Sequence, residues 1–294
     1  MKYKIASSNS CANVSSKGGE MISFIHGELE YIWRGVPEYW AGQAPVLFPT
    51  VGALKNNKTE INGITYQMKK HGFARQCDFE LIKLTKDSAS FSLKSNVETK
   101  SSYPFDFELR INHTVFIDGF KTEYQVINMD KEEILFGIGG HTGLNCPLYK
   151  DTQFTDYSIE FEQVENGPFY YSRLEDCGGV IHREDRIATL EHKKDLKLDY
   201  SLFDRDVIII DNLKSGSVKL INNKNNRGFK FNMKGFNSLG IWTPPFKKAP
   251  FICIEPWTVT PDFSDNSGKF GEKPNITRLS PNDVFSVFYE MKTI

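Results

Sequence analysis

The 294-residue sequence has little of what marks several broad classes of protein. Its five cysteines, Cys11, Cys77, Cys146, Cys177 and Cys253, are odd in number and scattered, with no Cys-x-x-Cys pair. That argues against a disulfide frame or a structural zinc site and fits reduced thiols. No apolar run approaches the ~20 residues that span a bilayer. The opening stretch MKYKIASSNSCANVSS has no apolar core of the export type, so a cytoplasmic protein is expected. Net charge is −1, from 36 basic and 37 acidic residues, which gives no electrostatic case for nucleic acid or an anionic membrane. There is no GxSxG, no P-loop lysine motif and no dinucleotide fingerprint at a strand–helix junction. Short-spaced metal motifs are absent too, so neither a metal nor a cofactor is expected. Helical periodicity is almost missing; only Tyr149 to Tyr157 and Arg173 to Cys177 have room for a turn or two.

What is present is strand after strand. Aromatic residues make up 13% of the chain, a bias towards sheet. Met21 to Trp33 predicts two short strands about a His26-Gly27 turn, and Glu38 to Gly52, with two prolines, predicts an irregular packed loop. Asn62-Gly63 and Asp118-Gly119, each between alternating segments, predict hairpin turns. Ala89 to Ser95 and Phe105 to Ile111 alternate with period two. Further strands are expected in Asp206 to Leu213, Ser217 to Ile221, Gly228 to Lys234 and the C-terminal DVFSVFYEMKTI. Without helices between them, such strands predict an all-β, antiparallel sandwich of two large sheets, as one domain over residues 1–294.

Three stretches carry candidate chemistry. In FICIEPW (Phe251 to Trp257), Glu255 sits directly before Pro256, which has no N–H for a ladder. The strand is expected to stop there, with Phe251, Cys253 and Glu255 on one face and Ile252 and Ile254 on the other. The plain alternative is a strand-end acid that reaches water. Cys253, inside an apolar strand, reads as a small packed hydrophobe. In KKHGFARQCDF (Lys69 to Phe79), an extended chain would point His71 and Arg75 to one side; the alternative is a loop histidine and a surface arginine. In GIGGHTGLNCPL (Gly137 to Leu148), glycines around His141 imply a close backbone approach or a tight turn. A structural histidine in a bend fits equally well.

Together, HGFAR (His71 to Arg75), GGHTGLNCPL (Gly139 to Leu148) and CIEPW (Cys253 to Trp257) resemble the aldose 1-epimerase, or galactose mutarotase, family. YWAGQAPVLFPTVG and YPFDFELRI resemble its LacX-like bacterial branch, and the likeness runs in order from about Phe24 to Tyr289. It implies a galactose mutarotase-like supersandwich that binds a sugar on a concave sheet face. It also implies Glu255 as general base, His141 as general acid and His71 as a sugar-holding histidine, with Asp206 or else Asp204 as a sugar-contacting aspartate. Trp242 or Trp257 would form an apolar platform. The expected reaction is anomer interconversion by ring opening and closure, without a cofactor, in a monomer or homodimer. Where the family often has Gly-Arg-Leu, this chain has Gly52-Ala53-Leu54. The lost arginine favours an unphosphorylated hexose over a 6-phosphate, with Arg75 the main cation and Lys55, Lys247 and Lys248 as possible substitutes. Two other classes fit less well. One is a sugar-binding or regulatory protein that has lost turnover. The other is a glycoside hydrolase, which needs two carboxylates flanking the bond.

Overall fold

The computed structural model describes residues 1–173 and 178–294. Period-two alternation folds as the sequence implies. In the strand Gly119–Asn128, Phe120, Thr122, Tyr124 and Val126 are buried while the residues between them are partly exposed. This strand lies within a nine-stranded antiparallel sheet, between Phe107–Phe116 and Val284–Thr293. A second, eight-stranded sheet covers it. Its central run is Phe169–Arg173, Ile208–Ile210, Ser238–Trp242, Phe251–Trp257, Gly139–Gly140 and Val46–Leu47, and Thr142–Asn145 also pairs with Phe251–Trp257. Side chains from both sheets, among them Ile252, Ile254, Phe120, Tyr124, Tyr289 and Met291, meet in one core. A four-stranded meander from Lys2 to Glu30 packs beside them, and since His26 pairs with Leu29 its last turn falls on Gly27-Glu28, one residue later than the expected His26-Gly27.

The strand Phe251–Trp257 is buried along its whole length. Ile252 and Ile254 point into the main core, whereas Phe251 and Cys253 join a smaller cluster with Trp33 and Ala249 on the outer face. Burial on both faces explains why FICI reads as a continuous apolar run.

Several expectations need correction. The strand does not stop before Pro256: Leu239 pairs with Pro256 and Ser238 with Trp257. On the opposite flank the Thr258 N–H donates to the Ile138 carbonyl. Residues two apart in a strand face the same flank, so the N–H that Pro256 lacks would have pointed there. The ladder on that flank is interrupted beside Pro256, and the proline is accommodated.

Asn62-Gly63 makes the two-residue turn expected of it, with Ile61 opposite Ile64 and φ of 50° and 77° at its two residues. The second hairpin turns one residue early, on Ile117-Asp118, since Phe116 pairs with Gly119. Gly119 is there for another reason: a Cβ would lie 2.0 Å from the Met291 carbonyl oxygen. Of the two short helical expectations, Tyr149 to Tyr157 contains a single 3-10 turn, Phe154–Asp156. Arg173 ends a strand, and the rest of Arg173 to Cys177 lies outside the described residues.

Candidate active site

The pairings Thr142 with Ile254 and Gly139 with Trp257 belong to one antiparallel register. Between them, His141 therefore lies opposite Glu255, and directly opposed residues project from the same face. The interruption at Pro256 falls beside this pair. His141 Nε2 is 3.3 Å from Glu255 Oε2, with both side chains nearly buried.

The glycines around His141 serve close approach, since none has a positive φ. A Cβ on Gly139 would lie 2.6 Å from the Trp257 ring, and one on Gly143 would lie 2.9 Å from the Trp40 ring. The indole of Trp257 also lies against Gly240, where a Cβ would sit 2.4 Å from it. Gly240→Ala should therefore overpack this wall and cost about 1–3 kcal/mol. A denaturant titration would read this as a lower midpoint with unchanged slope, and a difference below about 0.5 kcal/mol would contradict it.

His141 is framed by rings. Trp40 stacks on it at 4.8 Å between centroids, while His71 and Trp242 meet it edge-on, each at 5.6 Å. His71 comes from a tight turn rather than the extended segment expected. Its φ is 67° and that of Gly72 is 68°, and Ala74–Gln76 is a 3-10 turn. Gly72 must be glycine because a Cβ there would lie 2.1 Å from the Phe48 carbonyl oxygen. The turn still brings His71 and Arg75 to one cavity. The Gly52 N–H donates to His71 Nδ1 at 3.1 Å and the His71 N–H to the Gly52 carbonyl at 2.9 Å, which leaves Nε2 for a ligand.

Asp206 is buried with a φ of 84°, a conformation aspartate tolerates better than most residues. It accepts hydrogen bonds from Trp242 Nε1 at 2.6 Å and Ser172 Oγ at 3.1 Å. Lys70 Nζ stands 4.0 Å from the same carboxylate. Asp204, two residues earlier, is exposed and does not line the cavity.

These side chains enclose a cavity of about 230 Å³, lined also by Gly52, Trp257 and Pro261. Ala53 is fully buried and is not among the lining residues. A larger cavity of about 740 Å³ beside Cys77 and Thr99 contains none of these groups.

Burial dominates the electrostatics. It raises Glu255 well above the usual carboxylate range, assisted by Asp206 and opposed by Lys70 and Arg75. Burial pushes His141 down to about 3, aided by the positive charges of Arg75 and Lys70. His71 is lowered in the same way, first by burial and then by His141, Lys70 and Arg75. Both shifts favour the uncharged forms, so when the pair His141–Glu255 holds a single proton, burial places it on Glu255 rather than on His141. This differs from the ionised Glu255 that the family resemblance implies. Glu255 protonated with His141 neutral, and Glu255 ionised with His141 protonated, contain the same number of protons. A hydroxyl that donates to the carboxylate favours the second form.

The model of the family described as aldose 1-epimerase matches residues 1–291. The chain belongs to the aldose 1-epimerase family. Two proteins named LacX from Lactococcus lactis subsp. lactis, one plasmid-borne and one chromosomal, are 37% and 36% identical to it over 281 residues. The match covers 93% of this chain and 93% of each relative. Among solved structures, a galactose mutarotase related enzyme from Lactobacillus acidophilus superposes with a TM-score of 0.92 at 31% identity, over 100% of this chain and 97% of the other. A galactose mutarotase-like protein from Lactobacillus casei ATCC 334 gives 0.89 at 27%, over the whole of both chains. The galactose mutarotase-like sandwich is thus the fold of this aldose 1-epimerase family member.

Three lining residues were not legible as such. Trp40 lay in a stretch read only as a packed loop, although YWAGQAPVLFPTVG belongs to the LacX-like resemblance. Lys70 adjoins His71, yet one of two neighbouring lysines before a glycine turn has no visible direction. Ser172 carries no local signal at all. The expected substitutes for the missing arginine point elsewhere. Lys55 Nζ is bonded to the Asn266 carbonyl and Lys247 Nζ to the Glu38 carbonyl, and neither lines this cavity, nor does Lys248.

Proposed function

We propose that this family member is an aldose 1-epimerase that interconverts the α and β anomers of an aldohexose, with Glu255 and His141 as its acid–base pair. The observation that carries the reading is the buried 3.3 Å approach of His141 Nε2 to Glu255 Oε2, on a cavity wall. A pair holding one proton can take the C1 hydroxyl proton at one member and deliver a proton to the ring oxygen from the other. The C1–ring oxygen bond breaks, C1 becomes the free aldehyde, and rotation about C1–C2 lets the ring close on the other face. Closure runs the two transfers in reverse, so each group must serve as acid and as base, and the cycle needs no net electron transfer.

The remaining residues hold the sugar. Asp206, fixed by Trp242 and Ser172, and His71, fixed by Gly52, offer directional partners for ring hydroxyls. The Trp40 and Trp242 rings provide apolar surface. The volume suits one monosaccharide, being that of roughly eight waters at ~30 Å³ each.

A second reading, a sugar carrying an anionic group, is favoured by Lys70, which joins Arg75 at the cavity. The two can be told apart by kcat/KM for glucose and galactose against their 6-phosphates, followed by polarimetry. A tenfold preference, about 1.4 kcal/mol in the barrier, decides between them. Binding of all these sugars without faster rotation change would instead mark a carbohydrate-binding protein.

The charge state makes a further prediction. A histidine at its ordinary pKa would give an inflection in kcat/KM near pH 6.5. Here burial holds His141 far below that, at about 3, so His141 should give kcat/KM no inflection near pH 6.5. An acid-side inflection near pH 6.5 would show that His141 titrates normally.

A further inference from the structure

We propose that His141, Cys253 and Glu255 form an inhibitory binding site for a soft divalent cation such as zinc, beneath the cavity that His141 and Glu255 line. Cys253 lies two residues before Glu255 on the same face of one strand, and His141 lies opposite Glu255 on the next. One ligand atom from each, an imidazole nitrogen, the thiol sulfur and a carboxylate oxygen, lie within 4.8 Å of one another. All three residues are buried.

Thiolate, imidazole and carboxylate are the ligands zinc prefers, and three protein ligands with one open position describe a zinc site that can still take an exogenous group. Bonds of about 2.0–2.3 Å place tetrahedral ligand atoms roughly 3.3–3.7 Å apart. The His141–Glu255 distance of 3.3 Å already meets this, and the sulfur lies within 4.8 Å of both partners. The open position would face the cavity that His141 and Glu255 line. No other described group offers such a set. The sequence places the three ligands at positions 141, 253 and 255, so no short metal motif announces them; the sheet register brings them together.

Binding would proceed with loss of protons. The Cys253 thiol gives up its proton to become the thiolate ligand, and the His141–Glu255 pair gives up the one proton it shares. Zinc therefore removes the proton that the proposed reaction moves and occupies the atoms that would move it. Inhibition should be competitive with sugar and reversed by a chelator. Cys253 touches no part of the proposed chemistry, so it can be replaced without removing an acid or base.

The test combines direct binding with activity, because binding does not depend on the acid–base reading being right. Equilibrium dialysis with zinc should give one ion per chain for the full-length protein. Cobalt(II) in its place should show thiolate-to-metal charge-transfer absorption. Cys253→Ser should lose that absorption, bind zinc more weakly by more than the roughly 10–100-fold that changes to outer-shell groups cost, and keep its basal activity. Cys253→Ala repeats the test if the serine hydroxyl is poorly tolerated in this apolar strand. His141→Asn, which removes a ligand but not the thiol, should also weaken zinc. Absence of stoichiometric binding, or equal zinc affinity in wild type and both Cys253 variants, would overturn the proposal.

Discussion

Glu255→Gln should leave the protein folded and lower the kcat of mutarotation by about 10²–10⁴-fold, the range that general acid–base catalysis supplies. The substitution is nearly isosteric. Burial favours the neutral form of Glu255, so an amide there should impose little new desolvation cost. What it removes is the ability to give and take a proton 3.3 Å from His141 Nε2. KM should change little, because the amide still accepts a hydrogen bond from a sugar hydroxyl. Retention of more than about a tenth of wild-type kcat, with normal folding by circular dichroism, would mean that Glu255 does not move the proton.

His141→Asn should be nearly as costly in kcat, again by about 10²–10⁴-fold, with a much smaller effect on KM. Removing either member of the pair ends the exchange, so the double variant Glu255→Gln with His141→Asn should be little worse than either alone. Groups that act as one unit are strongly non-additive in this way. His71→Asn provides the contrast. His71 is locked by Gly52 through Nδ1 and is proposed to hold the sugar, so its loss should affect KM and kcat together. Equal and small losses in the two histidine variants would contradict the division of roles.

The sandwich was legible because period-two alternation survives wherever one face of a strand is buried. The places where reading failed are instructive. Pro256 was taken as a stop because a missing N–H breaks a ladder, but the break lies beside the proposed catalytic pair, where pairing is already interrupted. His71 was read as extended, whereas two left-handed residues and a 3-10 turn bring it and Arg75 to one cavity. Family motifs singled out His71, Arg75, His141 and Glu255, with Asp206 and Trp242 each offered as one of two alternatives, and the fold gathers all six around one space. Lys70, Ser172 and Trp40 could not be read, since their directions depend on contacts across distant segments. Ala53, read as a lost arginine contact, is buried and does not itself line the cavity, although its neighbour Gly52 does. The opposition of His141 and Glu255, 114 positions apart, follows from register alone.

The most direct measurement is anomer exchange at equilibrium, followed by NMR on an aldohexose in D2O with and without the protein. Exchange between the α and β anomeric protons should accelerate in proportion to protein concentration. The anomeric ratio should stay unchanged, and no deuterium should enter at C1 or C2, since ring opening breaks no C–H bond. Glu255→Gln should return the exchange rate nearly to that of buffer. Exchange no faster than in buffer for glucose, galactose and their 6-phosphates, while any of them binds at the cavity, would contradict the assignment of His141 and Glu255 as an acid–base pair.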